Sequence, residues 1–173
     1  DEGYIGGTED PRIVYGFGGV IAYKNIDFNF FFQGTADTHR VIGNSTIFLP
    51  GSGTTVQGNA YSENLDERWT DDNQDPYAFW PRLTYGPNKN NYRASTWWKK
   101  DMSFLRLKTV EIGYTFPKKW MEKIYSKGAR VFVSGNNLLC FSPFKLWDPE
   151  LGTNNGLKYP MNRSILFGID INF

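Results

Sequence analysis

The chain has one cysteine, Cys140, and one histidine, His39, among its 173 residues. A lone thiol excludes a disulfide framework and any multi-cysteine metal site, and a lone imidazole leaves zinc chemistry without ligands. An excess of one charge is also missing. Nineteen Lys+Arg against 18 Asp+Glu give a net charge of +1, so no nucleic-acid partner is written into the balance. No apolar run approaches the roughly 18 residues of a transmembrane helix; the longest are Phe30-Phe31-Phe32 and Leu138-Leu139-Cys140-Phe141. The opening Asp1-Glu2-Gly3-Tyr4 has neither the basic start nor the apolar stretch of a signal peptide. These absences do not make the chain soluble, because transmembrane strands alternate apolar with polar residues and escape hydropathy averages.

Rings are abundant: 6 Trp, 10 Tyr and 14 Phe, 17% of the chain, beside 18 Gly. That mixture suits β-structure. Strict alternation is clearest over 162–173, where Ile165, Phe167, Ile169, Ile171 and Phe173 oppose Ser164, Leu166, Gly168, Asp170 and Asn172. Further strands are expected over about 12–24, 27–37, 103–116 and 129–140. In the first, Tyr15, Phe17, Ile21 and Tyr23 share a face. In the second, Phe28, Phe30 and Phe32 oppose Asp27, Asn29, Gln33 and Thr35. Val110, Ile112, Tyr114 and Phe116 alternate with Thr109, Glu111, Gly113 and Thr115 in the third, and Val131 and Val133 mark the fourth. Pro117 is expected at the first position of a short helical turn in which Trp120 and Ile124 share a face.

The connections run short, long, short, long: 24–26, 38–102, 117–128 and 141–161. So long a loop counts against a soluble domain and for an outer-membrane barrel, with short periplasmic turns and long extracellular loops. In that arrangement Tyr23, Phe28, Tyr114, Phe116 and Phe173 fall at the short-turn level on the apolar face, as an interfacial girdle does. Five strands do not close a barrel, and open edges in hydrocarbon cost on the order of several kcal/mol per unpaired group. The expected fold is therefore all-β, the C-terminal strands of a larger antiparallel transmembrane barrel, in a piece of a longer polypeptide.

Here the residues carry a resemblance. Phe104-Leu105-Arg106-Leu107-Lys108-Thr109-Val110-Glu111-Ile112-Gly113-Tyr114-Thr115-Phe116-Pro117 resembles a block of the SusC/RagA family of TonB-dependent outer-membrane transporters. Val131-Phe132-Val133-Ser134-Gly135-Asn136-Asn137-Leu138 resembles a strand of that family. Asp148-Pro149-Glu150, Tyr159-Pro160 and Phe167-Gly168-Ile169-Asp170-Ile171-Asn172-Phe173 resemble its ending. Upstream, Tyr15-Gly16-Phe17-Gly18-Gly19 and Phe32-Gln33-Gly34 fit the preceding hairpin. The resemblance implies a barrel of about 22 strands, integral to the bacterial outer membrane and surrounded by its lipid. It also implies a plug domain outside this chain, a SusD-like surface lipoprotein, and energy from the TonB complex through the absent N-terminal part. The implied cargo is an oligosaccharide or a peptide; no enzyme activity and no cofactor are implied. Gly168, Ile171 and Phe173 are similar to the family's membrane-assembly signal, with Leu166 where a polar residue is usual. Such a signal works by strand addition.

Other constellations carry less. Gly16-Phe17-Gly18-Gly19 and Gly51-Ser52-Gly53-Thr54 lack the helix and Gly-Lys-Ser/Thr ending of a phosphate loop. Asp71-Asp72-Asn73-Gln74-Asp75 has calcium-loop spacing, but Pro76 replaces the required Gly and Arg82 the chelating Glu. Glu63, Asp66 and Glu67 read as surface charges of a short helix, not a glycosidase pair, and His39 reads as a rim residue. Residues 69–98 are loaded with rings: Trp69, Tyr77, Phe79, Trp80, Tyr85, Tyr92, Trp97 and Trp98. Trp97, Trp98, Trp80 and Tyr77 are the candidate ligand-binding residues; the competing role is a small core and a docking surface for the lid. The rival architecture is a soluble carbohydrate-binding β-sandwich, which high salt without detergent would release.

Overall fold

In the computed structural model, residues 3–42, 62–84 and 88–173 are described, with backbone only for Glu63, Asn64, Lys89, Tyr92 and Ile124. Gly51–Thr54, Tyr85 and the side chains of Glu63, Tyr92 and Ile124, all weighed above, lie outside the described residues.

The chain divides into two compact units. The larger comprises residues 7–39, 101–152 and 158–173. It is one antiparallel sheet in the order β1 (Ile13–Tyr23), β2 (Ile26–Ala36), β5 (Phe104–Thr115), β6 (Gly128–Phe141), β7 (Ser164–Asn172). A single five-stranded sheet is not a sandwich; it is a partial barrel wall, with β1 and β7 at its two ends. Two short strands, β3 (His39–Val41) and β4 (Lys99–Asp101), pair separately. Lys24 takes a left-handed φ of 53° in the two-residue β1–β2 turn, which matches the twist of the flanking strands. Between β5 and β6, Lys118–Met121 forms a single helical turn. Pro117 stands before that turn as its cap, not inside it, because its ψ of 139° is extended.

Register sorts the side chains. One face carries Phe17 beside Phe32, Ile21 beside Phe28, Phe30 beside Val110, Ile112 beside Val133, and Val131 beside Ile169. The opposite face carries Asn29 beside Glu111, with Gln33 beside Arg106 and Arg130 beside Asp170. Many of the apolar side chains are open, among them Phe17 at 52% and Phe167 at 80% exposure. A patch of that extent requires an apolar medium or a partner.

Strict alternation along β5 conflicts with this sorting, since Arg106 and Lys108 have the same parity as Val110 and Ile112. A bulge at Lys108 removes the conflict. Leu107 pairs with Phe32 and Leu139 on the apolar face, whereas Thr109 pairs with Phe31 and Asn136 on the polar one. One extra residue thus inverts the strand's parity and takes the Arg106 guanidinium out of the apolar face.

Candidate functional site

Within the smaller unit (1–6, 40–100 and 153–157), the aromatic-rich segment folds on itself. Trp80 and Trp98 are each 2% exposed and meet edge to face, centroids 6.0 Å apart. Phe79 adds a second edge contact to Trp80 at 5.0 Å. Buried indoles need partners for their N–H groups: Trp98 Nε1 donates to the Asn91 carbonyl at 2.9 Å, and Trp97 Nε1 to that of Phe79 at 3.3 Å. The Trp98 carbonyl accepts from the Ile42 N–H at 2.9 Å, tying a third buried side chain to the core.

Beside this core lies a cleft of about 300 Å³ lined by Trp69, Arg82, Asn90, Ser95, Trp97 and Trp98. Of the four ring residues singled out from the sequence, Trp97 lines the cleft and Trp98 forms its floor. Trp80 is sealed in the core and offers no ring face, and Tyr77 stands apart at 91% exposure. The acidic turn is held by its own atoms: the Asp75 carboxylate accepts from the Tyr77 N–H at 2.8 Å. Arg82, the residue in the chelator's place, pairs with Asp71 at 2.9 Å. Among the described residues no group of His, Cys, Asp and Glu is arranged to hold a metal.

Lys100 packs its ammonium 4.0 Å from the centre of the Phe79 ring. Burial lowers its pKa from the usual 10.5, against an opposing pull from Glu67. The unfolded chain therefore holds this proton to higher pH than the folded one. Stability of this unit should rise as pH climbs between the lowered value and 10.5. Tryptophan fluorescence during alkaline unfolding is the measurement, and the rise should vanish in Lys100→Met.

On the polar face of the large sheet two charge clusters bridge distant segments. The first joins β5 to the β6–β7 connection. Arg106, 2% exposed, reaches Asp148 at 2.5 Å and Glu150 at 2.6 Å, and Lys108 reaches Glu150 at 2.7 Å. Asp148 also accepts the Glu150 N–H at 3.0 Å, capping the 3-10 turn Pro149–Leu151, which Gly152 closes at a left-handed φ of 57°. The second cluster centres on Arg130 of β6. Its guanidinium forks onto Asp27 of β2, touches Glu111 of β5 at 2.7 Å, and lies 4.0 Å from Asp170 of β7. Gly113 makes this span possible: a Cβ there would collide with the guanidinium. Gly168 similarly leaves room for the Phe132 ring. Ile171 and Phe173, the other members of the proposed assembly signal, are 52% and 73% exposed.

Neither cluster follows from the alternation of a single strand, although Arg106 and Lys108 stand in one family-like block and Asp148-Pro149-Glu150 in another. Opposite charges in two separate motifs were the available signal.

No family model matches the chain. It is 32% identical over its full length to TonB-dependent receptor P26 of Formosa agariphila, covering 18% of that protein. Over 93% of its length it is 23% identical to TonB-dependent receptor SusC of Bacteroides thetaiotaomicron, covering 15% of it. The structure of the RagAB peptide importer in its closed-closed state superposes with a TM-score of 0.73 and 26% identity over 95% of this chain, 17% of that one. The chain thus spans less than a fifth of the length of these proteins.

Proposed function

We infer the role of this chain from what it is, a barrel segment of a SusC/RagA-like TonB-dependent receptor: it forms part of the wall and outer vestibule of an active transporter in the bacterial outer membrane. The observation that carries this reading is the sorting of the sheet into one apolar face and one that holds its charged side chains, the division a lipid-facing, water-filled barrel requires. The apolar face meets lipid. Asn29, Gln33, Glu111 and Asp170 face the translocation path, and the segments around 38–102 and 141–161 lie outside the cell. The role is transport and not catalysis. The rest of the protein supplies the plug and the contact with the TonB complex, and a SusD-like lipoprotein covers the vestibule. Gly168, Ile171 and Phe173 present β7 to the insertion machinery by strand addition, a reading supported by β7's place at the end of the sheet.

Cargo is captured at the cleft of Trp69, Trp97, Asn90 and Ser95. Flat indole faces among amide and hydroxyl groups suit the apolar face and hydroxyl edge of a sugar ring, which favours an oligosaccharide over a peptide. Trp97→Ala in the full receptor should weaken cargo binding on the order of tenfold, the usual scale for losing an aromatic anchor, while lid association stays unchanged. Binding to glycan and peptide arrays measures the first, and copurification of the lipoprotein the second. Loss of the lid with intact cargo binding would reject the assignment. Trp98 is unsuited to this test, because its removal empties the core.

A further inference from the structure

The charge of this chain is segregated along its strands. Its two short connections, 24–25 and 116–127, hold Lys24, Lys118, Lys119, Lys123 and Lys127 against the single acid Glu122, a net charge of +4. The whole chain carries +1, so everything else carries −3. The acids of the adjoining strands, Asp27, Glu111 and Asp170, are gathered about Arg130 on the polar face.

The longer connection is a built platform. Met121 and Ser126 are buried at 8% and 6% exposure. Ser126 Oγ donates to the Asn172 carbonyl at 2.7 Å, which also accepts the Lys127 N–H at 2.8 Å. Lys127 Nζ is engaged by the Phe173 carbonyl at 2.8 Å, whereas Lys118, Lys119 and Lys123 are exposed. Aromatic rings lead onto this platform from the apolar face of the sheet. Tyr114 meets Phe116 edge-on at 5.4 Å, and Phe116 lies 6.2 Å from Trp120, which is 56% exposed. Tyr125, in a left-handed φ of 56°, stands out at 93% exposure.

We propose that the Phe116–Lys127 platform, with Lys24 of the neighbouring turn, is a binding surface for anionic phospholipid headgroups. Trp120 extends the lipid-facing ring stripe to the depth where one edge of an indole is wet. The lysines lie next to it, at the height of the phosphates, and draw negative headgroups electrostatically. Continuity with the apolar face and the concentration of positive charge together select this occupant. The inference rests on the membrane reading above.

The test uses the full-length receptor inserted into vesicles of phosphatidylethanolamine with a minor fraction of phosphatidylglycerol, then excised with its surrounding lipid for mass spectrometry. Wild type should retain phosphatidylglycerol enriched roughly five- to tenfold over the vesicle composition. Lys118→Gln, Lys119→Gln and Lys123→Gln together should bring it to parity, as should high salt with wild type; the corresponding triple arginine variant should keep the enrichment. Insertion without enrichment, or enrichment that survives the glutamine substitutions, overturns this inference alone. Failure of wild type to insert, read by the absence of a heat-modifiable gel shift, overturns the barrel reading together with it.

Discussion

Arg106→Met should release the β6–β7 connection from the barrel wall. The substitution keeps the side chain's bulk but removes the one cation that serves both Asp148 and Glu150. Lys108 still reaches Glu150, so Asp148 is the group left stranded. Removing one member of a buried pair costs about 3–5 kcal/mol when both charges are fully sealed. Here the carboxylate side chains keep 18% and 21% of their exposure, which places the expected cost toward the lower end. Hydrogen exchange of the amides in 142–163 should accelerate about a hundredfold, while the amides of β6 and β7 stay protected. Two companion variants separate charge from packing. Arg106→Lys keeps the charge but cannot bridge both carboxylates at once. Adding Asp148→Asn to Arg106→Met removes the stranded anion while leaving Glu150 to Lys108, and should restore much of the protection. Unchanged exchange in Arg106→Met would mean that the connection is held without this pair.

The same residue shows where sequence reading stops. Faces of β1, β2 and β7 were legible because period-2 alternation is a local property: Phe28, Phe30 and Phe32 declare their side by themselves. In β5 the alternation of Val110, Ile112 and Tyr114, carried back toward the start of the strand, would set Arg106 and Lys108 in the apolar face. Only pairing with β2 reveals the extra residue at Lys108. A bulge is a relation between strands and leaves no mark in one strand's pattern. Arg106 and Asp148 lie 42 residues apart, and Arg130 and Asp27 lie 103 apart. Such contacts follow from register and not from composition. The tryptophans gave the opposite difficulty. Their number marked residues 69–98 as special, but an indole that packs a core and one that receives a ligand look alike in sequence. Burial separates them: Trp80 is sealed while Trp97 lines the cleft.

Arg130→Met should loosen the sheet at its short-turn end, where four strands are fastened through one guanidinium. Register gathers Asp27, Glu111 and Asp170 about Arg130, whose charge offsets theirs. Without it, Asp27 of β2 and Glu111 of β5 become like charges on adjacent strands, which is destabilising in its own right. The variant should thus lose more than a contact, since it converts an attractive cluster into a repulsive one. In the full receptor, the temperature at which the folded band disappears on a heat-modifiability gel should fall well below that of wild type. Asp27→Asn combined with Arg130→Met should recover part of the loss, because it removes the repulsion as well as the unpaired negative charge. Asp27→Asn alone should be milder than Arg130→Met, as Arg130 keeps Glu111. This non-additivity is the signature of a shared network. Strictly additive effects of the two substitutions would show that Arg130 and Asp27 act independently, with β2 and β6 joined only through their separate ladders with β5.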